Sequence, residues 1–200
     1  MEFQHINVKL LLKNAEDIDL EGLIPVFHSW IQEQAGSELL LDVADYRHVR
    51  SGPGVVLIGH QGNYSLDNTG ARWGVRYNRK AVLEGTNQDR LVQAAQAALA
   101  ACQRLETDPR LGGTVQFDGR EMEVFINDRL LAPHTPETQA AAAAEFRTFF
   151  CTLFADGNYA ASYAQDPRSL LSMRARASQA FDTTALLDNL NLLAPASSPR

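Results

Sequence analysis

The sequence predicts an α+β domain, a largely antiparallel sheet built from hairpins with helices packed on one face. Three observations carry that expectation. Segments with a period of two follow one another across short turns, longer segments with helical periodicity interrupt them, and most neighbouring strands are too close in sequence for a helical crossover. The expected order is β-α-β-β-β-α-β-β-α-β-β-α, a single domain over residues 1–193 followed by a disordered tail, 194–200, in "APASSPR".

Taken in order, Ile6, Val8, Leu10 and Leu12 alternate with His5, Asn7, Lys9 and Lys13, the pattern of a half-buried strand with a polar second face. Pro25 suits a first helical turn, and Ile24, Phe27, Trp30, Ile31 and Gln34 recur at helical spacing up to Gly36. Two apolar runs then flank "RHVRSGPG", a strong turn signal. A further hairpin, "NYSL" against "RWGVRYNRK", is expected to pair Leu66 with Trp73 and Tyr64 with Val75. Thr86 and Asp89 form a capping box, and Leu91, Ala95, Ala98, Leu99, Cys102 and Leu105 the apolar stripe of the helix it opens. Asp118-Gly119 predicts a two-residue type I′ hairpin, with Val115, Phe117, Met122, Val124 and Ile126 on one face. Thr135 and Pro136 start another helix, "NYAASYA" and "SLLSMRARA" read as a strand pair, and Asp182 caps a short last helix.

Composition narrows the function classes. At 200 residues with 45% hydrophobic side chains, the chain can bury one sizeable core. A net charge of -6 argues against a general nucleic-acid binder, which needs a basic surface. No apolar run approaches the roughly 20 residues that span a bilayer, and "MEFQHINVKLLLK" does not read as a signal peptide, so no membrane partner and a cytoplasmic location are expected. Cys102 and Cys151 fall in Ala-rich helical segments and read as small buried hydrophobes.

Two groups of residues could carry chemistry. His28, His48 and His60 with Asp42 and Asp45 supply the atoms of a zinc or manganese site, or of a general base, but without HxH, HExxH or Cys-pair spacing. In the simplest hairpin register about Ser51 and Gly52, His60 faces Val43. His48 then lies roughly 16 Å along the ladder at about 3.3 Å per residue, too far to share an ion without a bend. The second group is a row on one strand face, Arg72, Arg76 and Lys80 with Asn63, Ser65 and Asn78, able to hold a phosphate or carboxylate through charge-assisted hydrogen bonds. GxGxxG, GxxxxGK[ST] and GxSxG are all absent, so no nucleotide loop or nucleophile elbow is indicated and the cofactor stays unknown. Phe146, Phe149, Phe150 and Phe154 cover more than one helical stripe, which reads as core alone or as core on one side and a homodimer contact on the other.

The segments "IPVFHSWIQ", "LLLDVADYRHV", "GPGVVLIGHQGNYSLD" and "YNRK…NQDRL" resemble an uncharacterised family of bacterial proteins, most strongly over residues 20–105. The resemblance implies a bacterial, cytoplasmic origin and brings no activity, cofactor or site residue with it. Two expectations follow. The first is a non-catalytic binding or interaction protein whose Arg72, Arg76, Asn63 and Asn78 face recognises an anionic small molecule or a protein partner. The second is a metal-assisted hydrolase or lyase using His28, His48 and His60 with Asp42 or Asp45.

Overall fold

The computed structural model describes residues 1–14, 18–34, 36, 38–155 and 157–192, so the expected tail at 194–200 lies outside the described residues. In chain order the elements are β1 (Ile6–Leu12), α1 (Leu20–Glu33), β2 (Leu40–Tyr46), β3 (Gly54–Gly59), β4 (Gly62–Asp67), β5 (Gly74–Arg79), α2 (Asn87–Thr107), β6 (Phe117–Ile126), α3 (Pro136–Leu153), β7 (Tyr159–Tyr163), β8 (Leu171–Ala177) and α4 (Thr183–Asn191). All strands join one eight-stranded sheet of order β2-β3-β4-β5-β1-β6-β8-β7, and every pairing is antiparallel. The α+β expectation is met.

Alternation in the strands decides which face the helices cover. Val8, Leu10, Leu57, Leu66, Val75, Tyr77, Met122, Val124, Leu171 and Ala175 point to one face and are fully or almost fully buried there. Against them pack the stripe Leu91, Ala95, Ala98, Leu99, Cys102 and Leu105 of α2 and the aromatic run of α3. The alanines let α2 approach β1 and β5 closely, and its Thr86–Asp89 capping box forms as the sequence requires. Thr135 and Asp182 likewise cap α3 and α4.

Phe146, Phe149, Phe150 and Phe154 all have 0% exposure, stacked among themselves and against Phe3, Tyr159, Tyr163 and Phe181. The whole run is core, and the aromatic basis for a homodimer contact falls away. The C-terminal strands close round this cluster on more than one side, which a single helical wheel does not show.

Five local expectations are corrected. Asp118-Gly119 is not a hairpin: β6 runs through it as one strand, and the pairing with β1 jumps from Leu10↔Met122 to Leu12↔Phe117, so the residues between form a bulge. Gly119 is needed there because a Cβ would strike the carbonyl of Phe181. The β4–β5 register sets Leu66 opposite Val75 and Tyr64 opposite Tyr77, two residues beyond the expected pairs, because a 3-10 turn at Thr69–Ala71 lengthens the connection. A shift of two keeps each side chain on its expected face.

Pro25 lies inside α1, not at its start, since Asp19 caps the Gly22 N–H and the helix begins at Leu20. At the other end Gln34, not Gly36, takes the left-handed conformation, with its side-chain amide donating to the carbonyls of Ile31 and Leu40. Finally, Val43 pairs with Leu57, and His60 falls in the β3–β4 turn, donating its N–H to Leu39 at 2.8 Å.

Candidate functional site: a charged cavity on the helix-free face

The residues that alternate with the core form the second face of the sheet, which no helix covers. Across β4, β5, β1, β6, β8 and β7 one row reads Ser65, Arg76, Lys9, Glu123, Arg174 and Ser162. A neighbouring row reads Asn63, Asn78, Asn7, Phe125 and Ser172. Antiparallel sheets commonly leave such a face to water, but here the Thr69–Ala71 turn and the β7–β8 connection rise over it. Between them lies a cavity of about 480 Å³, reaching from Lys9, Arg72 and Arg76 across Glu123 and Phe125 to Ser162, Ser172 and Arg174.

Burial makes the charges consequential. Lys9 is 1% exposed and Asp67 2%, and their ion pair measures 2.5 Å. Lys9 also donates to the Thr69 carbonyl at 3.1 Å, while Asp67 accepts from the backbone N–H and hydroxyl of Thr69 at 3.0 and 2.8 Å. Burial pulls the Lys9 ammonium below its ordinary pKa, although Asp67 opposes the shift.

Glu121 and Glu123 form a second cluster. Arg72 donates to both, at 2.6 and 2.9 Å. Arg174 donates to Glu123 at 2.6 Å and Arg176 to Glu121 at 2.7 Å. For Glu121, burial works to raise the pKa, but the hydrogen bonds from Arg72 and Arg176 outweigh it and hold the carboxyl below its usual range.

The charge balance of the two clusters differs. Among the described residues, Arg72, Arg174 and Arg176 face Glu121, Glu123 and Asp118, three against three. In the other cluster Asp67 is the carboxylate within ion-pair distance of both Lys9 and Arg76, Lys9 holds it by hydrogen bond, and Glu123 attracts both from farther off. The Arg76 guanidinium stands 4.0 Å from Asp67 and over the Phe125 ring, 4.6 Å from its centroid, and among the described residues it donates no hydrogen bond. Its side chain is only 17% exposed, and burial draws its pKa down against the pull of Asp67 and Glu123. Arginine nonetheless stays charged in proteins. Among the cations that line the cavity, Arg76 therefore keeps its donors open.

Of the residues expected to bind a ligand, Arg72 and Arg76 line this cavity, but the Nη1 of Arg72 is already engaged by two carboxylates that balance its charge. Asn63 and Asn78 share the face without lining the cavity. Lys80 caps the Gly59 carbonyl at 2.6 Å. Sequence reasoning missed Lys9 and Asp67 as a pair, and missed Glu121, Glu123, Phe125, Ser172, Arg174 and Arg176 altogether. The alternation "REMEVFI" and "SMRARA" marks them as one-faced, but only the β6–β8 pairing brings them to Arg72 and Arg76.

The histidine set is not brought together. His28 is exposed on α1, His48 in the β2–β3 connection and His60 in the β3–β4 turn. Asp42, exposed on the edge strand, accepts the Val43 N–H at 2.8 Å. Asp45 is chelated by Arg47, whose hydrogen bonds lower its pKa. Among the described residues no group of three His, Cys, Asp or Glu side chains is placed to hold a metal ion. The three histidines thus sit on a helix, in the β2–β3 connection and in the β3–β4 turn, and are part of no such group. Cys102 is buried with its thiol pKa pushed well up by desolvation, and neither cysteine is in a disulfide.

A second cavity of about 290 Å³ lies on the helix side, lined by Trp30, Tyr64, Gln93 and Arg104 among others. There Arg104 already stacks on Trp30 and pairs with Glu33. Its cation is committed, unlike Arg76. No described helix is long and apolar enough to cross a membrane. Comparison of the chain with protein-family models, with curated proteins and with solved structures finds no match.

Proposed function

We propose that this chain is a non-catalytic binding protein that captures a small anionic molecule in the cavity on the helix-free face of its sheet. The single observation behind this reading is Arg76, a mostly buried guanidinium that borders the cavity, makes no hydrogen bond among the described residues and shares its nearest carboxylate, Asp67, with Lys9. An unmet charged donor in a partly desolvated site favours an anion strongly, because charge-assisted hydrogen bonds gain strength where water is scarce. Arg72 and Arg174 stand in the wall of the cavity, where Glu121 and Glu123 pair with them and balance their charge.

A bacterial, cytoplasmic setting rests on the family resemblance of residues 20–105 alone. The test is NMR titration of the full chain with acetate and with inorganic phosphate, at constant ionic strength. The reading predicts shifts confined to residues around Arg76, Phe125 and Ser172, and their loss in Arg76→Met. Equal shifts in wild type and Arg76→Met would refute it.

A further inference from the structure

Resting on that anion-binding reading, the geometry points to a ligand class: we infer that the ligand is a monocarboxylate carrying a hydroxyl or amide group a few atoms from its carboxyl group. Two independent observations lead there.

The first is the number of charges. The Glu121–Glu123 cluster is balanced, Asp166 on the cavity wall is paired with Arg168, and the Lys9–Asp67–Arg76 cluster exceeds balance by one cation. A single negative charge neutralises the site. A phosphate dianion brings a second charge into a cavity already lined by Glu123 and Asp166, where like-charge repulsion and desolvation both oppose it. A lone guanidinium fork also matches a carboxylate, which it can hold with two parallel hydrogen bonds.

The second is the set of hydroxyls beyond Arg76. The Arg76 guanidinium already reaches over Phe125 on β6. Ser172 is the cross-strand partner of Phe125 on β8. It is 8% exposed, lines the same cavity and makes no side-chain hydrogen bond among the described residues. Adjacent strands stand about 4.8 Å apart, so an acid group on Arg76 and a polar group on Ser172 belong to one ligand with a separation of about 5 Å. Ser162 extends the same polar track to the rim. Phe125 lies beneath the span, where a short aliphatic segment covers it.

The experiment uses three probes on the full chain, followed by NMR titration at fixed ionic strength: 4-hydroxybutyrate, butyrate and inorganic phosphate. The expected order is 4-hydroxybutyrate tightest, about three- to tenfold ahead of butyrate as befits one neutral hydrogen bond, with phosphate weakest. Ser172→Ala should erase the advantage of the hydroxyl and leave butyrate unchanged. Arg76→Met should weaken both carboxylates at least tenfold. Phosphate binding more tightly than either acid, yet still dependent on Arg76, would overturn the monocarboxylate inference and leave the anion-binding reading standing. Equal binding of butyrate and 4-hydroxybutyrate in the wild type would overturn the polar-group half of the inference. If no probe binds in an Arg76-dependent way, the anion-binding reading itself is overturned.

Discussion

Asp67→Asn puts the helix-free face under the most direct strain. Asp67 serves Lys9 at 2.5 Å, the Thr69 backbone and hydroxyl at 3.0 and 2.8 Å, and Arg76 at 4.0 Å. Asparagine keeps the shape and one carbonyl acceptor but removes the carboxylate nearest to two buried cations, leaving them the more distant Glu123. Lys9 is left with the Thr69 carbonyl as its sole other acceptor. Removing one partner of a buried pair costs about 3–5 kcal/mol, and two stranded cations put Asp67→Asn at the upper end of that range.

Lys9→Met begins from the same ion pair but leaves a better satisfied survivor. Asp67 keeps both Thr69 donors and gains Arg76 as its undivided counter-charge, so a loss of about 2–3 kcal/mol is expected. The double variant Lys9→Met/Asp67→Asn should cost less than the sum of the single changes by more than about 1 kcal/mol, the signature of direct coupling. Urea unfolding, with the midpoint shift taken at constant slope, reads all three values. If Asp67→Asn costs no more than Lys9→Met, or less than about 1 kcal/mol, then the pair is not the buried, charge-limited contact described here.

Other expectations are briefer. The Glu121 carboxyl is held below its ordinary pKa of 4.5 by Arg72 and Arg176 in spite of burial, so its contribution to stability is complete above the unfolded value and is lost as pH falls through the folded one. Glu121→Gln should flatten that acid limb in unfolding measured between pH 6 and pH 3, and an unchanged limb would count against the cluster. Gly119→Asn separates bulge from turn: a type I′ turn accepts asparagine, whereas the backbone of Phe181 rejects any Cβ, so Gly119→Asn and Gly119→Ala should both lower the melting temperature markedly. Thr86→Ala removes the N-cap of α2 and should cost about 1 kcal/mol, readable as a fall of a few degrees in Tm. Phe150→Ala empties the centre of the aromatic cluster, for a loss of about 3–5 kcal/mol in urea unfolding.

Much of this molecule is legible in its local chemistry. Period-two alternation in β1, β6 and β8 assigns each residue a face before any partner is known, because side chains alternate across a strand whatever it pairs with. Thr86, Thr135 and Asp182 announce the helix starts, since each oxygen meets an N–H only three residues away. The polar row of Arg76, Ser65 and Asn78 was visible for the same reason, as was the small-residue stripe of α2.

Pairing across long sequence separations was not legible. Lys9 and Asp67 meet through 58 intervening steps of chain, and Arg72 reaches Glu121 and Glu123 only because β1 inserts between β5 and β6. Nothing in the spacing of those residues encodes that insertion. The histidines illustrate the converse: their nearness in sequence suggested a site, and turns of uncertain length sent them apart.

The sequence by itself determined the fold class, the helix boundaries that caps define and which residues share a face, all consequences of backbone geometry within a few residues. Only the tertiary structure decided strand order, the bulge at Gly119, the burial of the whole aromatic run and the open donors of Arg76. Those depend on which distant surfaces meet, and a surplus of one cation exists only once every other partner has been placed.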